Sequence, residues 1–315
     1  MKTRWLLPAV VAVLLLAGCG VGSDGGTDGK AAEATPARQD PAFLADTERW
    51  REQRRENLLA PDGWTSLVGM HWLELKAHYI GSGATSGIRI ARGPEKLGML
   101  QQQGGRVFLV PERGVPLTVD GEPLKGRVEL LSDEHDSPTR VGFDDGAGEL
   151  SLIRRGNRTA VRVKHAEAQT RTGFSQLEYW PADAAWRVSG RFVAHPPGRT
   201  IEIADIIGTL QKMPNPGAVE FEHGGGTYAL EALEGADGGL FLILADRTSG
   251  HGSYGAGRYL DTAAPDAAGN VVLDFNRAYN PPCAFTAFAT CPLPPPENRL
   301  DLAITAGEKI YRFGG

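Results

Sequence analysis

The 315-residue sequence is short of almost every signature that names a chemistry. None of its seven histidines stands four residues from another, so the His-x-x-x-His spacing of a helical metal site is absent. No Gly-x-Ser-x-Gly elbow occurs. The glycine run 224–226 has no Lys-Ser/Thr behind it, so it reads as a hairpin turn and not as a nucleotide cradle. Neither a metal nor a cofactor is expected. Basic residues are outnumbered, 33 Lys and Arg against 38 Asp and Glu, and they form no stripe; nucleic acid is therefore not an expected partner. Beyond the N-terminus, no apolar run is long enough to cross a bilayer as a helix.

The first 20 residues do carry a signal. Lys2 and Arg4 precede an uncharged apolar core, Leu6 to Leu16, which is too short to span a bilayer and ends in small residues, as a cleaved export leader does. Leu16-Ala17-Gly18-Cys19 resembles the lipobox of bacterial lipoproteins. That resemblance implies a signal peptide over 1–18, a lipid such as palmitate on Cys19, and attachment to a membrane through that anchor alone. Gly20 in place of Asp implies the periplasmic face of the outer membrane in a Gram-negative host. Residues 19–40 hold almost no large apolar group and should form a flexible tether. Removing Lys2 and Arg4 with the leader takes the net charge from −5 to −7.

The remaining body, about 275 residues, suffices for one large or two modest domains. Its opening, residues 43–64, is rich in Arg and Glu around Phe43, Leu44, Trp50, Leu58 and Leu59. It reads as a surface helix capped by Asp46 or Thr47, stopped at Pro61-Asp62-Gly63, with its arginines on a solvated face. Short apolar runs follow: 87–90, 106–110, 127–131, 159–163, 185–188, 240–244, 270–273 and 300–304. Many alternate in polarity as half-buried strands do, and 41 glycines and 21 prolines supply the turns. Trp72 and Trp186 sit in apolar surroundings and belong to the core. The acidic, turn-rich stretch 132–148 divides the chain into a helix plus small β-sandwich over 41–131 and a larger antiparallel β domain over 149–315. The expected fold is mainly β, the second domain a barrel or half-barrel. Cys283 and Cys291 are the pair left after Cys19; in an oxidising envelope a disulfide is expected, contributing about 2.5 kcal/mol. Free thiols and a metal site are the alternatives.

Two resemblances bear on this division. Ile80-Gly81-Ser82, Ile88-Arg89-Ile90, Val107-Phe108-Leu109 and Leu117 to Gly121 follow one another in an order similar to the forkhead-associated β-sandwich. Ser82 stands where that family's phosphate-binding Arg would be and no Ser-x-x-His follows, so the resemblance implies the sandwich but not phosphothreonine binding. Pro61 to Trp64 through Trp72-Leu73, Thr248 to Leu260, and DFNRAYNPPCAFTAFATCPLPPPEN over 274–298 together resemble domain-of-unknown-function family 1684. That resemblance implies no reaction, substrate or cofactor.

The densest polar stretches are DRTSGHGSYGAGR, 246–258, and DFNRAYN, 274–280, each behind an apolar strand-like run. Asp246, Ser249, His251, Tyr254, Arg258, Asp274, Asn276, Arg277, Tyr279 and Asn280 form the candidate ligand site, because loops at strand ends display binding groups. Arg258 and Arg277 would supply charge for a small polar or anionic molecule. The alternatives are a hydrolase with Asp246, His251 or Asp274 as acid and base, and an assembly protein whose cluster is bracing, with Arg258 paired to Asp274. A protein partner is not identified by the sequence.

Overall fold

The computed structural model describes residues 40–313; the leader, Cys19 and the tether through residue 39 lie outside the described residues. Pro41 sets the first helical φ and Asp40 accepts from the Ala42 amide at 2.9 Å, which starts helix α1 (Pro41–Leu59). The cap is thus Asp40, upstream of the expected Asp46 or Thr47. Asp46 instead faces Arg277, and the buried Thr47 hydroxyl donates to the Phe43 carbonyl. Ala60, ahead of Pro61, turns to extended backbone and ends the helix. Among the described residues no helix is long and apolar enough to cross a membrane.

A β-sandwich follows, built from β1 (Leu67–Trp72), β2 (Ala77–Gly81), β3 (Ile88–Arg89), β4 (Gly98–Gln103), β5 (Arg106–Pro111), β6 (Thr118–Val119), β7 (Glu122–Pro123), β8 (Val128–Leu130), β9 (Val141–Phe143), β10 (Gly148–Arg155) and β11 (Arg158–His165). One sheet has the order β1-β11-β10-β9-β6-β7 and the other β3-β2-β4-β5-β8. Alternate residues of both sheets, among them Ile80, Leu100, Leu109, Val141, Leu150, Val161 and Val163, fill the layer between them. The stretch 132–148, expected to divide the chain, lies inside this sandwich. β10 and β11 pair with each other, and β11 pairs with β1, so the first sheet closes only at His165.

The second half contains a short helix α2 (Gln169–Thr172) and strands β12 (Arg187–Ala194), β13 (Thr200–Ala204), β14 (Leu210–Pro214), β15 (Gly217–His223), β16 (Gly226–Glu234), β17 (Leu240–Leu244), β18 (Arg258–Thr262) and β19 (Asn270–Asp274). Six of them form an antiparallel sheet of order β18-β17-β16-β15-β12-β19; β13 and β14 stand apart as a hairpin. The sheet curls into a half-barrel, and the chain just beyond β19 returns to its other edge, where Tyr259 and Tyr279 exchange amide hydrogen bonds of 2.8 and 2.9 Å. Val219, Phe221, Leu230, Leu242, Leu260, Leu273 and Phe275 pack inside the curl. Gly224 and Gly225, at φ +57° and +81°, make the tight β15–β16 turn that the glycine run implied. Residues 300–304 are not a strand: Leu300 bonds Ala245, and the Ile304 amide and carbonyl go to the Asp246 and Arg258 side chains. Trp186 is core at 7 % exposure, whereas Trp72 is half-buried beneath Arg158, 3.9 Å from its ring.

Candidate functional site

Arg258 opens β18 with its side chain wholly buried. Its guanidinium donates to Asp246 Oδ2 at 2.7 Å, to the Ile304 carbonyl at 3.0 Å and to the Ala306 carbonyl. Burial pulls its pKa down, and the adjacent Asp246 carboxylate opposes that pull. Asp246 is therefore its partner, not the Asp274 that the bracing alternative paired with it. Asp246 sits at the end of β17, the neighbour of β18, whereas Asp274 closes β19 and caps the turn after it. Asp274 Oδ1 accepts from the Asn276 amide at 3.2 Å and from its Nδ2 at 3.0 Å.

Most of the other candidates are also engaged internally. Asn276, 0 % exposed, accepts from the Asp183 amide and donates to the Asp183 carbonyl, both at 2.9 Å. Asn280 donates its amide to Glu308 Oε2 and its Nδ2 to the Lys309 carbonyl, both at 2.7 Å. The Tyr279 hydroxyl donates to Asp261 at 2.7 Å and the Tyr254 hydroxyl to the Cys283 carbonyl at 3.2 Å. Ser249 Oγ accepts from the Asp246 amide at 3.1 Å. His251 remains exposed, its ring against the Ser249 carbonyl at 3.2 Å. The loops thus brace one another, and among the described residues no hydrogen bond or ion pair joins Asp246, His251 and Asp274 to one another. Cys283 and Cys291 are free thiols, not the expected disulfide; the Cys283 amide donates to Cys291 Sγ at 3.0 Å. Among the described residues no cluster of His, Cys, Asp or Glu could hold a metal ion.

What the cluster braces is helix α1. Arg54 Nε donates to the fully buried Glu308 carboxylate at 2.9 Å, its second amino group donates to the Asn280 carbonyl at 2.9 Å, and its guanidinium lies 4.6 Å above the Tyr279 ring. Arg277 pairs with Asp46 at the start of the helix. The arginines assigned from sequence to a solvated face are therefore divided: Arg54 anchors the helix, while Arg51 and Arg55 line a cavity.

That cavity, about 660 Å³, lies between α1 and the paired segments 175–179 and 310–312. Glu48, Arg51, Glu52 and Arg55 face it from three- and four-residue helical spacings. Tyr179 is held at the opposite wall by its backbone bridge to Glu308 and by the Arg51 guanidinium, 4.4 Å from its ring. One polar atom on each of these two lining residues, Arg51 Nε and the Tyr179 hydroxyl, is buried without a hydrogen-bond partner. Burial, reinforced by the Glu308 charge, pushes the Tyr179 phenol well above its ordinary range, so it stays a proton donor. Glu178 and Arg312 complete a lining that carries both signs of charge. Sequence reasoning missed this site because its wall joins residues 48–55 to residues 175–179 and 310–312, and only the fold brings them together.

Residues 172–309 match the family described as a protein of unknown function, DUF1684. The DUF1684 segment contains the half-barrel, the braced loops and Tyr179, while α1 and the sandwich lie outside the match. A solved structure of an uncharacterized protein from Haloarcula marismortui is 31 % identical, over 44 % of this chain and 78 % of that one, with a TM-score of 0.37. No curated protein matches.

Proposed function

We propose that the chain is a lipid-anchored protein of the cell envelope whose body binds a small molecule with an anionic group in the cavity between α1 and segments 175–179 and 310–312. The observation that carries this reading is the pair of partnerless buried donors, Arg51 Nε and the Tyr179 hydroxyl, on two residues that line facing walls of a cavity of about 660 Å³. A buried donor without an acceptor costs about 1–3 kcal/mol, which a carboxylate or phosphate oxygen would recover once the two side chains turn their donors toward the cavity. Arg55 and Arg312 add positive charge, and Glu178 offers an acceptor to a hydroxyl or ammonium elsewhere on the same ligand. The volume falls in the range of small-molecule pockets. Envelope placement is supported by the apolar leader and by Leu16-Ala17-Gly18-Cys19.

Two experiments test the parts separately. A thermal-shift screen of residues 40–313 against small carboxylates, phosphates and amino acids should give hits in wild type that Arg51→Met and Tyr179→Phe abolish while both remain folded. Hits that both variants retain would refute the site. Cys19→Ser should move the full-length protein from the membrane to the soluble fraction; retention in the membrane would refute the anchor.

A further inference from the structure

Cys283 and Cys291 border a loop whose two ends are pinned. Pro281 and Pro282 precede the first cysteine and Pro292 follows the second. The Cys291 carbonyl accepts from the Ile206 amide at 2.9 Å, and the Tyr259 hydroxyl holds the Pro292 carbonyl at 2.9 Å. Cys291 is 3 % exposed, whereas Cys283 reaches the surface in part. The Cys283 amide, three covalent bonds from its own sulfur, donates to Cys291 Sγ at 3.0 Å, which brings the second thiol against the first residue. Tyr254 aims its hydroxyl at the same residue, 3.2 Å from the Cys283 carbonyl.

We propose that this pair is a thiol–disulfide exchange site, in which Cys283 attacks a low-molecular-weight disulfide and Cys291 resolves the adduct. In the first step the Cys283 thiolate bonds to one reagent sulfur, the reagent S–S bond breaks, and its other half leaves as a thiolate that takes up a proton. In the second, Cys291 loses its proton and attacks Cys283 Sγ; the protein S–S bond forms and the remaining half leaves as a thiol. One disulfide is reduced to two thiols and the protein dithiol is oxidised. The division of labour follows from the surroundings. The neighbouring Cys291 thiol, with the Tyr254 hydroxyl beside it, draws Cys283 below the usual thiol range, which favours the nucleophilic form. The bond to Cys283 and burial hold Cys291 far above it. Capping Cys283 removes the charge and the hydrogen bond that contribute to this, so Cys291 becomes competent only after the first step.

The test is to incubate the reduced full-length protein with glutathione disulfide and map the thiols by peptide mass spectrometry, the peptide carrying Cys19 being assigned separately. Wild type should lose two hydrogens between Cys283 and Cys291. Cys291→Ser should accumulate a glutathione adduct on Cys283, and Cys283→Ser should lose all reaction at Cys291. In wild type alone, which does not depend on the folding of any variant, brief alkylation should label Cys283 before Cys291. Labelling of Cys291 first, or no exchange at either cysteine, would overturn the proposal.

Discussion

Replacing Arg258 by alanine takes the guanidinium away from Asp246, whose side chain is 0 % exposed, and from the carbonyls of Ile304 and Ala306. Asp246 Oδ1 keeps the Thr248 amide at 2.7 Å, but Oδ2 is left without its 2.7 Å partner. Removing one member of a buried ion pair costs about 3–5 kcal/mol, because the other charge remains in a poorly solvated place. Arg258→Met keeps much of the volume and isolates that electrostatic cost from the cavity cost. Adding Asp246→Asn to Arg258→Met removes the stranded charge, so the double variant should be more stable than Arg258→Met alone. Urea unfolding followed by tryptophan fluorescence reads these differences as shifts in midpoint at constant slope. A loss below about 1 kcal/mol for Arg258→Ala, or strictly additive losses in the double variant, would refute the bracing role.

Three further outcomes follow from the same geometry. Leu58, 1 % exposed on α1, should cost about 2–5 kcal/mol when changed to alanine, and urea unfolding that shows less than about 1 kcal/mol would contradict the docking of the helix. Tyr179→Phe removes a buried hydroxyl that has no partner, so the ligand-free protein should gain up to about 1 kcal/mol; a loss of comparable size would show that the hydroxyl is satisfied. Burial holds His71 below its ordinary value of 6.5, so its contribution to stability is complete above that pH and is lost as pH falls through the lower folded-state value. His71→Asn should flatten this part of the stability–pH curve, and an unchanged slope would refute the assignment.

The mainly β fold was legible in the sequence because its strands carry their period on the surface. The runs at 240–244 and 270–273 are β17 and β19, and Gly224-Gly225 is the hairpin turn. Residues 300–304 alternate as well as any of these, yet their backbone bonds go to the Asp246 and Arg258 side chains and to Ala245. Local pattern does not reveal that kind of long-range competition. The acidic stretch 132–148 misled for a related reason: turn residues mark a loop, not which sheet the next strand joins. The polar loops at 246–258 and 274–280 were identifiable as a cluster, but their partners were not. Arg258 meets Asp246 because β17 and β18 are neighbours in the sheet, a fact of topology. Arg51 and Arg54 stand one helical turn apart in a run of similar residues, and only the packing of α1 gives one a cavity and the other a buried carboxylate.

The most direct test of the central claim is isothermal titration of a carboxylate or phosphate identified in the screen, against wild type, Tyr179→Phe and His251→Ala. The cavity account predicts that Tyr179→Phe weakens binding at least about tenfold, the loss of one hydrogen bond to a charged group, while His251→Ala leaves the affinity unchanged. Unchanged affinity in Tyr179→Phe together with loss in His251→Ala would place the ligand on the 246–258 loop instead and contradict the account.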